Sequence, residues 1–312
     1  MRFCTFVVAV LLALPLCAAE ATRELAITID DLPIGGPTPD LETIQRINAR
    51  MLEVLAAHKA PAIGFVNEGR VDVEGETAAR TAILESWLDA GLPLGNHTYS
   101  HLSFHDTPLK QFTDDILRGE AITRRLMEAL GQQPRYFRHP FTRTGPTAEA
   151  KAALETFLAE HGYRVAPFTV ENADYAFNVV YLRARAAGDA ALADRTRSAY
   201  LDFTDAMFDY FERLAADVFE RAIRQVLLIH VNALNADCLD EMLSRLERRG
   251  YRFVSLDHAL EDPAYSSPET YVGRMGLSWL HRWVVSRGLP LRVRDEPELP
   301  EFVWRLYQTA PR

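Results

Sequence analysis

Two adjacent carboxylates, Asp30 and Asp31, directly follow a β-rich segment, residues 24–29, and precede a stretch rich in proline and glycine. The pattern predicts a strand that ends in a loop carrying both side chains. A buried carboxylate pair is unfavourable unless a cation or a proton is shared between its members. One member could therefore bind a metal while the other accepts a proton, although such a pair also serves as a simple turn or capping feature.

Two histidines four residues apart, His97 and His101, form a second candidate group. On a helical turn this spacing directs both imidazoles to the same side, where they can chelate one ion. A zincin peptidase requires glutamate directly after the first histidine, and Thr98 occupies that position, which excludes this class. His105 extends the spacing by four and is a candidate third ligand, but a single additional histidine is more often structural.

Two further side chains follow apolar segments. Arg138 comes after a short apolar strand, where its planar guanidinium could orient a carboxylate or could simply lie at the surface. His230 ends the apolar run 226–229, at the position where a general acid would lie in a barrel. Considered alone, each residue also has an ordinary structural interpretation.

In this order, the four groups resemble the motifs of the NodB-like polysaccharide deacetylases, carbohydrate esterase family 4. The matching segments are Thr28-Ile29-Asp30-Asp31 for T-F-D-D, His97-Thr98-Tyr99-Ser100-His101 for H-[ST]-x-x-H, Arg138-His139-Pro140-Phe141 for R-x-P-[YF], and Leu228-Ile229-His230 for L-x-H. The resemblance covers residues 24–262. A further motif matches loosely, because Asp174-Tyr175 stands where Asp-Trp is usual; these two residues are expected to contribute to the substrate pocket.

The resemblance implies a distorted (β/α) barrel of parallel strands and surrounding helices, with a metal site at the C-terminal ends of the strands. It assigns Asp31, His97 and His101 as the ligands of one divalent cation. A carboxylate and two imidazoles suit Zn²⁺, while Co²⁺, Ni²⁺ or Mn²⁺ could bind the same set.

The resemblance also implies roles in acyl transfer. Asp30 would deprotonate the attacking water, with Arg138 keeping it ionised. The backbone N–H of Phe141, which follows Pro140 in the motif, would stabilise the oxyanion, and protonated His230 would donate to the leaving amine. A carboxylate should keep His230 charged, and the candidates are Asp174, Asp202, Asp205 and Asp237.

The implied function is metal-dependent removal of N-acetyl groups from an amino-sugar polymer or oligomer. Peptidoglycan, chitin fragments and exported polysaccharides all belong to this substrate class. One alternative is an O-acetyl sugar esterase, because the same chemistry cleaves esters. The other is a carbohydrate-binding protein that has lost turnover, which the missing tryptophan and an unusual C-terminal tail would fit. The presence of Asp30, Arg138 and His230 favours an enzyme.

The elements that must position these residues alternate along the chain. Apolar β-rich runs predict strands at 24–29, 62–66, 92–95, 136–137, 163–168, 226–229 and 251–256. Helical periodicity predicts helices after Asp40, as N-cap, and at 76–90, 109–130, 146–161 and 238–249. This alternation predicts a parallel sheet with helices on its faces. An amphipathic stretch at 189–224 predicts a long helical insertion, as one helix or two, whose aromatic stripe faces the core.

Composition narrows the class of protein further. Lys and Arg total 34 and Asp and Glu total 43, so the formal net charge of −9 argues against a nucleic-acid partner. Arg2, the apolar run 6–16 and the small residues 17–21 are typical of a signal peptide, residues 1–21, and predict export to the periplasm or the medium. The exported chain would retain only Cys238, and hence no internal disulfide.

The remaining chain divides into a catalytic domain, residues 22–262, and a C-terminal helical tail, residues 263–312, expected to pack on that domain. Trp279 and Trp283 are one helical turn apart, which favours burial against the domain over sugar stacking. No apolar run after the signal peptide is long enough for a membrane span. The sequence does not predict an oligomeric state.

Overall fold

The computed structural model describes residues 23–290 and 295–310 of the chain. The predicted signal peptide, residues 1–21, lies outside the described residues. Within the described ranges, no helix combines the length and the apolar character needed to cross a membrane.

A parallel sheet forms the centre of the described structure. Its strands are β1 (Arg23–Leu32), β2 (Ala62–Val66), β3 (Leu94–Asn96), β4 (Tyr136–Phe137), β5 (Arg164–Val165), β6 (Val170–Glu171), β7 (Gln225–His230) and β8 (Tyr251–Val254). They are ordered β5-β4-β3-β2-β1-β7-β6, and β8 pairs with the first half of β1. The sheet is curled into a half-barrel surrounded by helices, which confirms the predicted fold class.

Strand β1 is longer than its apolar run predicts. It pairs with β2, β7 and β8 and is buried along most of its length, as expected for a central parallel strand. Pairing with β2 shifts register between Ile29 and Leu32, and Asp31 adopts a φ of 68°. The prediction that the strand ends before Asp30 is therefore wrong, because both carboxylates are part of the strand, at an irregularity.

Helices surround the curled sheet. They are α1 (Leu41–Ala57), α2 (Thr77–Asp89), α3 (Leu109–Arg118), α4 (Ala121–Ala129), α5 (Ala148–Glu160), α6 (Asp174–Ala186), α7 (Ala190–Phe219), α8 (Ala233–Arg248), α9 (Leu256–Ala259), α10 (Trp279–Ser286) and α11 (Glu301–Gln308). Asp40 caps α1 by accepting a hydrogen bond from the Thr43 N–H, as predicted. The stretch 189–224 contains one helix of 30 residues, α7, whose aromatic stripe is buried in the core.

The predicted helix 109–130 is in fact two helices, α3 and α4, separated at Gly119. A Cβ atom at Gly119 would lie 2.4 Å from both the Thr98 carbonyl carbon and the Tyr99 nitrogen. The loop that carries His97 and His101 therefore passes directly against the Gly119 backbone. The helix break makes room for this loop.

The C-terminal segment, residues 263–290 and 295–310, packs on the sheet and its helices. Trp279 and Trp283 of α10 belong to the main hydrophobic core, consistent with their helical spacing. Backbone and side-chain hydrogen bonds fix the start of α10, since the Trp279 N–H donates to the Phe168 carbonyl and the Ser278 hydroxyl to that of Thr169. Cys238, in α8, is a buried free thiol.

Candidate metal centre and active site

The C-terminal ends of β1, β3 and β7 meet at a cavity of about 550 Å³. Asp30 and Asp31 enter it from β1, His97 and His101 from the loop after β3, and His230 from the end of β7. Side chains from three distant parts of the chain are thus brought together at the edge where parallel-sheet enzymes carry their sites. The volume is within the range of small-ligand cavities.

Asp31, His97 and His101 form the candidate metal site. One potential ligand atom from each lies within 4.8 Å of the others. Asp31 Oδ1 is 3.5 Å from His97 Nε2 and 3.4 Å from His101 Nε2. Among the described residues, His105 does not join this group, which agrees with the structural role favoured for it over that of a third ligand.

The two histidines converge through a turn, not through a helix. Thr98 and His101 have left-handed φ values of 67° and 54°, and residues 97–101 are not helical. Asn96 Oδ1 accepts from the Thr98 N–H at 2.7 Å, and Thr98 Oγ1 accepts from the His101 N–H at 3.0 Å. These bonds stabilise an otherwise unfavourable backbone. The predicted helical turn is therefore wrong, although the imidazoles do face one point.

The donor chemistry fits a divalent cation. His97 Nδ1 must donate its proton to the Arg138 carbonyl, 2.7 Å away, because a carbonyl only accepts; Nε2 then faces Asp31. Burial lowers the pKa of His97 and of His101 to about 4, which leaves both imidazoles neutral at pH 7. Asp31 Oδ1 is buried without a hydrogen-bond partner. Two neutral imidazoles and an unpaired carboxylate oxygen are a ligand set for a metal.

Asp30 is buried beside this group, near the fully buried Arg138. Arg138 Nη1 lies 3.7 Å from Asp30 Oδ2, and its Nη2 donates to Thr28 Oγ1 at 2.8 Å. Burial raises the pKa of Asp30 above its ordinary value, and the positive charge of Arg138 opposes this effect only in part. The expectation that Arg138 simply keeps Asp30 ionised therefore understated the effect of burial.

Asp174 is the carboxylate that pairs with His230. Its Oδ1 accepts from His230 Nδ1 at 2.7 Å, and its Oδ2 accepts from the His230 N–H at 2.8 Å. Asn232 and Asn235 donate their side-chain N–H groups to the same Oδ2. The other three candidates lie elsewhere: Asp202 and Asp205 pair with Arg245, and Asp237 accepts from Tyr181.

His230 is the most strongly basic imidazole of the site. Burial alone would lower the pKa of His230, but the carboxylates of Asp174, Asp31 and Asp30 outweigh that effect and raise it to about 10. At pH 7 the ring therefore carries two protons. Nδ1 is engaged by Asp174, and Nε2 remains as the second N–H of a side chain that lines the cavity.

Comparison with known families agrees with this arrangement. The sequence model described as "Polysaccharide deacetylase" matches residues 18–168, a range that includes Asp30, Asp31, both histidines and Arg138. Residues 18–168 are therefore similar to a polysaccharide deacetylase domain. A search of curated proteins gave no significant match.

Solved structures show the same fold. A mutant of a carbohydrate esterase family 4 pseudoenzyme, described as having restored enzymatic activity, superposes with a TM-score of 0.51 at 19% identity, covering 77% of this chain and 68% of that one. The wild-type form of that pseudoenzyme is from Bacillus anthracis. A mutant of peptidoglycan deacetylase PdaC from Bacillus subtilis gives 0.50 at 20% identity, with coverages of 77% and 91%. The structural neighbours thus include proteins described as a pseudoenzyme and as a deacetylase.

Phe141 lies on one side of the cavity. It occupies a short turn, Pro140–Thr142, directly after Arg138 and His139, and has a left-handed φ of 53°. Pro140 is buried, whereas the Phe141 ring is half-exposed with its centroid 4.5 Å from that of His101. The turn therefore places the Phe141 ring against that of His101, one of the candidate metal ligands.

Tyr175 lies on another side of the cavity. Its ring is half-exposed and meets His230 edge to face, with 6.4 Å between centroids. Of the two predicted pocket residues, Tyr175 lines the cavity, whereas Asp174 is buried, does not line it and contributes through its pairing with His230.

Several residues that line or support the cavity were not predicted. Gly276 and Tyr307 line it from the C-terminal segment, and Glu171 lines it from β6. No motif precedes or follows these positions. Asn232 and Asn235, by contrast, follow His230 closely, and their spacing could have indicated a cap that also binds the partner of that histidine.

Proposed function

We propose that this protein is a metal-dependent hydrolase that removes N-acetyl groups from an amino-sugar oligomer or polymer. The observation that carries the proposal is the convergence, in one cavity, of a metal-ligand set with a separate buried carboxylate and a doubly protonated imidazole. Amide hydrolysis requires these three functions: an electrophile, a base and an acid for the amine. The predicted signal peptide supports action outside the cytoplasm.

Asp31, His97 and His101 would hold the divalent cation. We propose Zn²⁺, because two imidazoles and one carboxylate are a common zinc set, with Co²⁺, Ni²⁺ or Mn²⁺ as substitutes. The cation would supply a Lewis acid for the acyl carbonyl and a lowered pKa for the attacking water. Asn96 and the Arg138 carbonyl, which orient the histidine loop and the His97 ring, set the direction of both imidazoles.

Asp30 would accept the proton of the attacking water. It is adjacent to Asp31 in sequence, and its Oδ1 is buried without any partner in the described residues. Its Oδ2 is oriented by Arg138 at 3.7 Å and lies 3.9 Å from His97 Nε2. A base held beside the ligands, with one oxygen free, is positioned to act on a water bound there.

Two further groups would act after the water attacks, one on the oxyanion and one on the leaving amine. The Phe141 N–H would stabilise the negative charge that develops on the former carbonyl oxygen. His230, held in one orientation by Asp174, would then donate its Nε2 proton to the amide nitrogen as the carbon–nitrogen bond breaks. The products are acetate and a free amino sugar.

The test is acetate release from N-acetylglucosamine oligomers by the metal-loaded protein, compared with O-acetylated sugars. We expect turnover of the N-acetyl substrates that is lost in His230→Ala, because an amine leaves only once its nitrogen is protonated, whereas an ester has a better leaving group and depends less on an acid. Faster turnover of O-acetyl sugars that survives His230→Ala would instead identify an esterase. Carbohydrate binding without turnover, across both sets and all four metals, would identify a protein that has lost its activity.

A further inference from the structure

The turn that carries Phe141 has an unfavourable backbone conformation. Phe141 and Thr142 have φ values of 53° and 51°, so two consecutive residues with side chains occupy the left-handed region. Such a conformation persists only where surrounding contacts stabilise it. Within the turn, the Thr142 N–H donates to the His139 carbonyl and the Arg143 N–H to the Pro140 carbonyl, and neither bond uses the N–H or the carbonyl of Phe141.

Arg282, in α10, donates hydrogen bonds to this turn and to the residues that follow it. Its side chain is fully buried, and its Nη2 donates to the Thr142 carbonyl. Nη1 donates to Thr144 Oγ1 at 3.1 Å, and Nε donates to the Leu277 carbonyl at 2.8 Å. One guanidinium therefore joins residues 142 and 144 to the helix, through bonds in three fixed directions.

The position of this guanidinium is itself determined by its surroundings. Its carbon lies 4.3 Å from the Trp279 ring centroid, and Nη1 is 3.6 Å from a carboxylate oxygen of Glu269. Glu269 also accepts from Lys151 of α5. A buried cation paired with a carboxylate and stacked on an indole loses little further entropy when it binds the turn.

The C-terminal segment that carries Arg282 contacts the Phe141 turn at further points, through Gly276 and Arg274. A Cβ atom at Gly276 would lie 2.4 Å from the Phe141 carbonyl oxygen and 2.2 Å from Thr142 Oγ1. The Arg274 carbonyl accepts from Arg143 Nε at 2.9 Å. The C-terminal segment, which lies outside the range matched by the family, thus contacts residues 141–144 repeatedly.

We propose that Arg282 is a positioning residue: it holds the Phe141–Thr142 turn in the left-handed conformation that directs the Phe141 N–H toward the developing oxyanion. The inference rests on the proposed function. It assigns to the C-terminal segment a part in catalysis, exerted through the backbone of the turn and without contact with the substrate.

The main test compares Arg282→Met and Arg282→Lys with the wild type in acetate release. We expect kcat to fall roughly 10- to 10²-fold in Arg282→Met, as for a misplaced reacting group, with KM and bound metal unchanged. Arg282→Lys keeps the charge but not the fork, and should retain more activity. Arg287→Met is the matched control, because Arg287 caps the same helix yet donates to the Val218 carbonyl, away from the cavity.

Hydrogen exchange provides a readout that does not need turnover. In Arg282→Met, the amides of residues 141–144 should exchange faster, while those of β1 remain as protected as in the wild type. If the wild type releases no acetate from any substrate, the proposed function fails, and exchange still decides the positioning role. Unchanged exchange at 141–144, or a loss of kcat no greater than in Arg287→Met, would overturn the inference.

A double substitution tests the backbone argument itself. Glycine adopts positive φ without penalty, so Thr142→Gly removes part of the need for an anchor. We expect Arg282→Met to reduce kcat by a smaller factor in the Thr142→Gly background than in the wild type. Equal factors in both backgrounds would show that Arg282 acts in some other way.

Discussion

The two sides of the cavity differ in how completely their carboxylates are satisfied. Asp174 accepts four hydrogen bonds from neighbouring groups, so its charge is balanced by the fold alone. Asp31 faces two neutral imidazoles, and one of its buried oxygens has no hydrogen-bond partner. The first arrangement is stable as folded, whereas the second becomes favourable when a cation is added. The contrast indicates which side depends on a metal and which serves proton transfer.

The largest expected effect separates the two adjacent carboxylates. Asp30→Asn should keep the metal and lose about 10²- to 10⁴-fold in kcat, as is typical when a general base is removed. Asp31→Asn should be inactive because it loses metal, since an amide oxygen is a weaker ligand. Activity assays paired with elemental analysis check both. Metal loss in Asp30→Asn, with metal retained in Asp31→Asn, would reverse the assignment.

The stabilisation of the protein by added metal should depend on Asp31 and not on Asp174. Zn²⁺ at 100 times its Kd should raise the free energy of unfolding of the wild type by about 2.7 kcal/mol, because it binds the folded state. Thermal unfolding with and without the metal measures this gain. Asp31→Asn should lose it, and Asp174→Asn should retain it. A gain that depends on Asp174 instead would contradict the proposed division of the cavity.

The pH dependence of activity should report the state of the His230–Asp174 pair. His230 is surrounded by Asp174, Asp30, Asp31 and Glu171, and its pKa of about 10 is above its ordinary value. A raised pKa means that the proton is held through neutral pH, so activity that needs it should fall only at alkaline pH; a bound cation offsets the charge of Asp31 and brings this limit below 10. Asp174→Asn should move this alkaline limb to lower pH. The rate profile, together with NMR titration of the imidazole, gives the measurement.

An alkaline limb at the same pH in Asp174→Asn and the wild type would show that another group donates the proton.

The pairing of His230 with Asp174 should also contribute to the stability of the folded state. Because the folded pKa lies above the unfolded value, the stabilisation is complete below about pH 6.5 and is lost as pH rises through about 10. Denaturant unfolding at a series of pH values should follow this trend in the wild type and less so in Asp174→Asn.

The smallest expected effect concerns Tyr307, which reaches the cavity from α11. Its ring lies 5.9 Å from that of Tyr175, which in turn meets His230. Tyr307→Ala removes one aromatic wall of the cavity, and a stacking contact with a sugar ring there would be worth about 0.5–1.5 kcal/mol, so KM should rise roughly two- to tenfold with kcat little changed. Tyr307→Phe is the matched control and should behave as the wild type. A fall in kcat alone would place Tyr307 in a different role.

Sequence was sufficient for the sheet and for the chemically distinctive residues. Strand periodicity and four ordered motifs led to the fold class and to Asp30, Asp31, His97, His101, Arg138 and His230, which the structure brings together. It could not select Asp174 among four aspartates, because that choice depends on how α6 is placed 56 residues before His230. It also misjudged the His97–His101 turn, since left-handed φ at Thr98 reflects tertiary contacts and not local propensity.

The contribution of the C-terminal segment had no signal in the sequence. Arg282 and Tyr307 belong to no motif, and their effect arises only from where α10 and α11 pack. Gly119 illustrates the same limit within the domain. The helix is interrupted at Gly119 because the backbone of Thr98 and Tyr99 passes against it, about 20 residues earlier in the chain. No local sequence pattern encodes this contact.

The central position of β1 has a consequence for how the protein would inactivate on heating. Asp30 and Asp31 are carried by the strand that pairs with three others, so they can separate from their neighbours only when the whole sheet opens. The Phe141 turn is held largely by a segment at the far end of the chain, which can detach in a smaller and less costly opening. Catalysis should therefore disappear some degrees before the melting transition, while the carboxylates remain in place, and cooling should restore it.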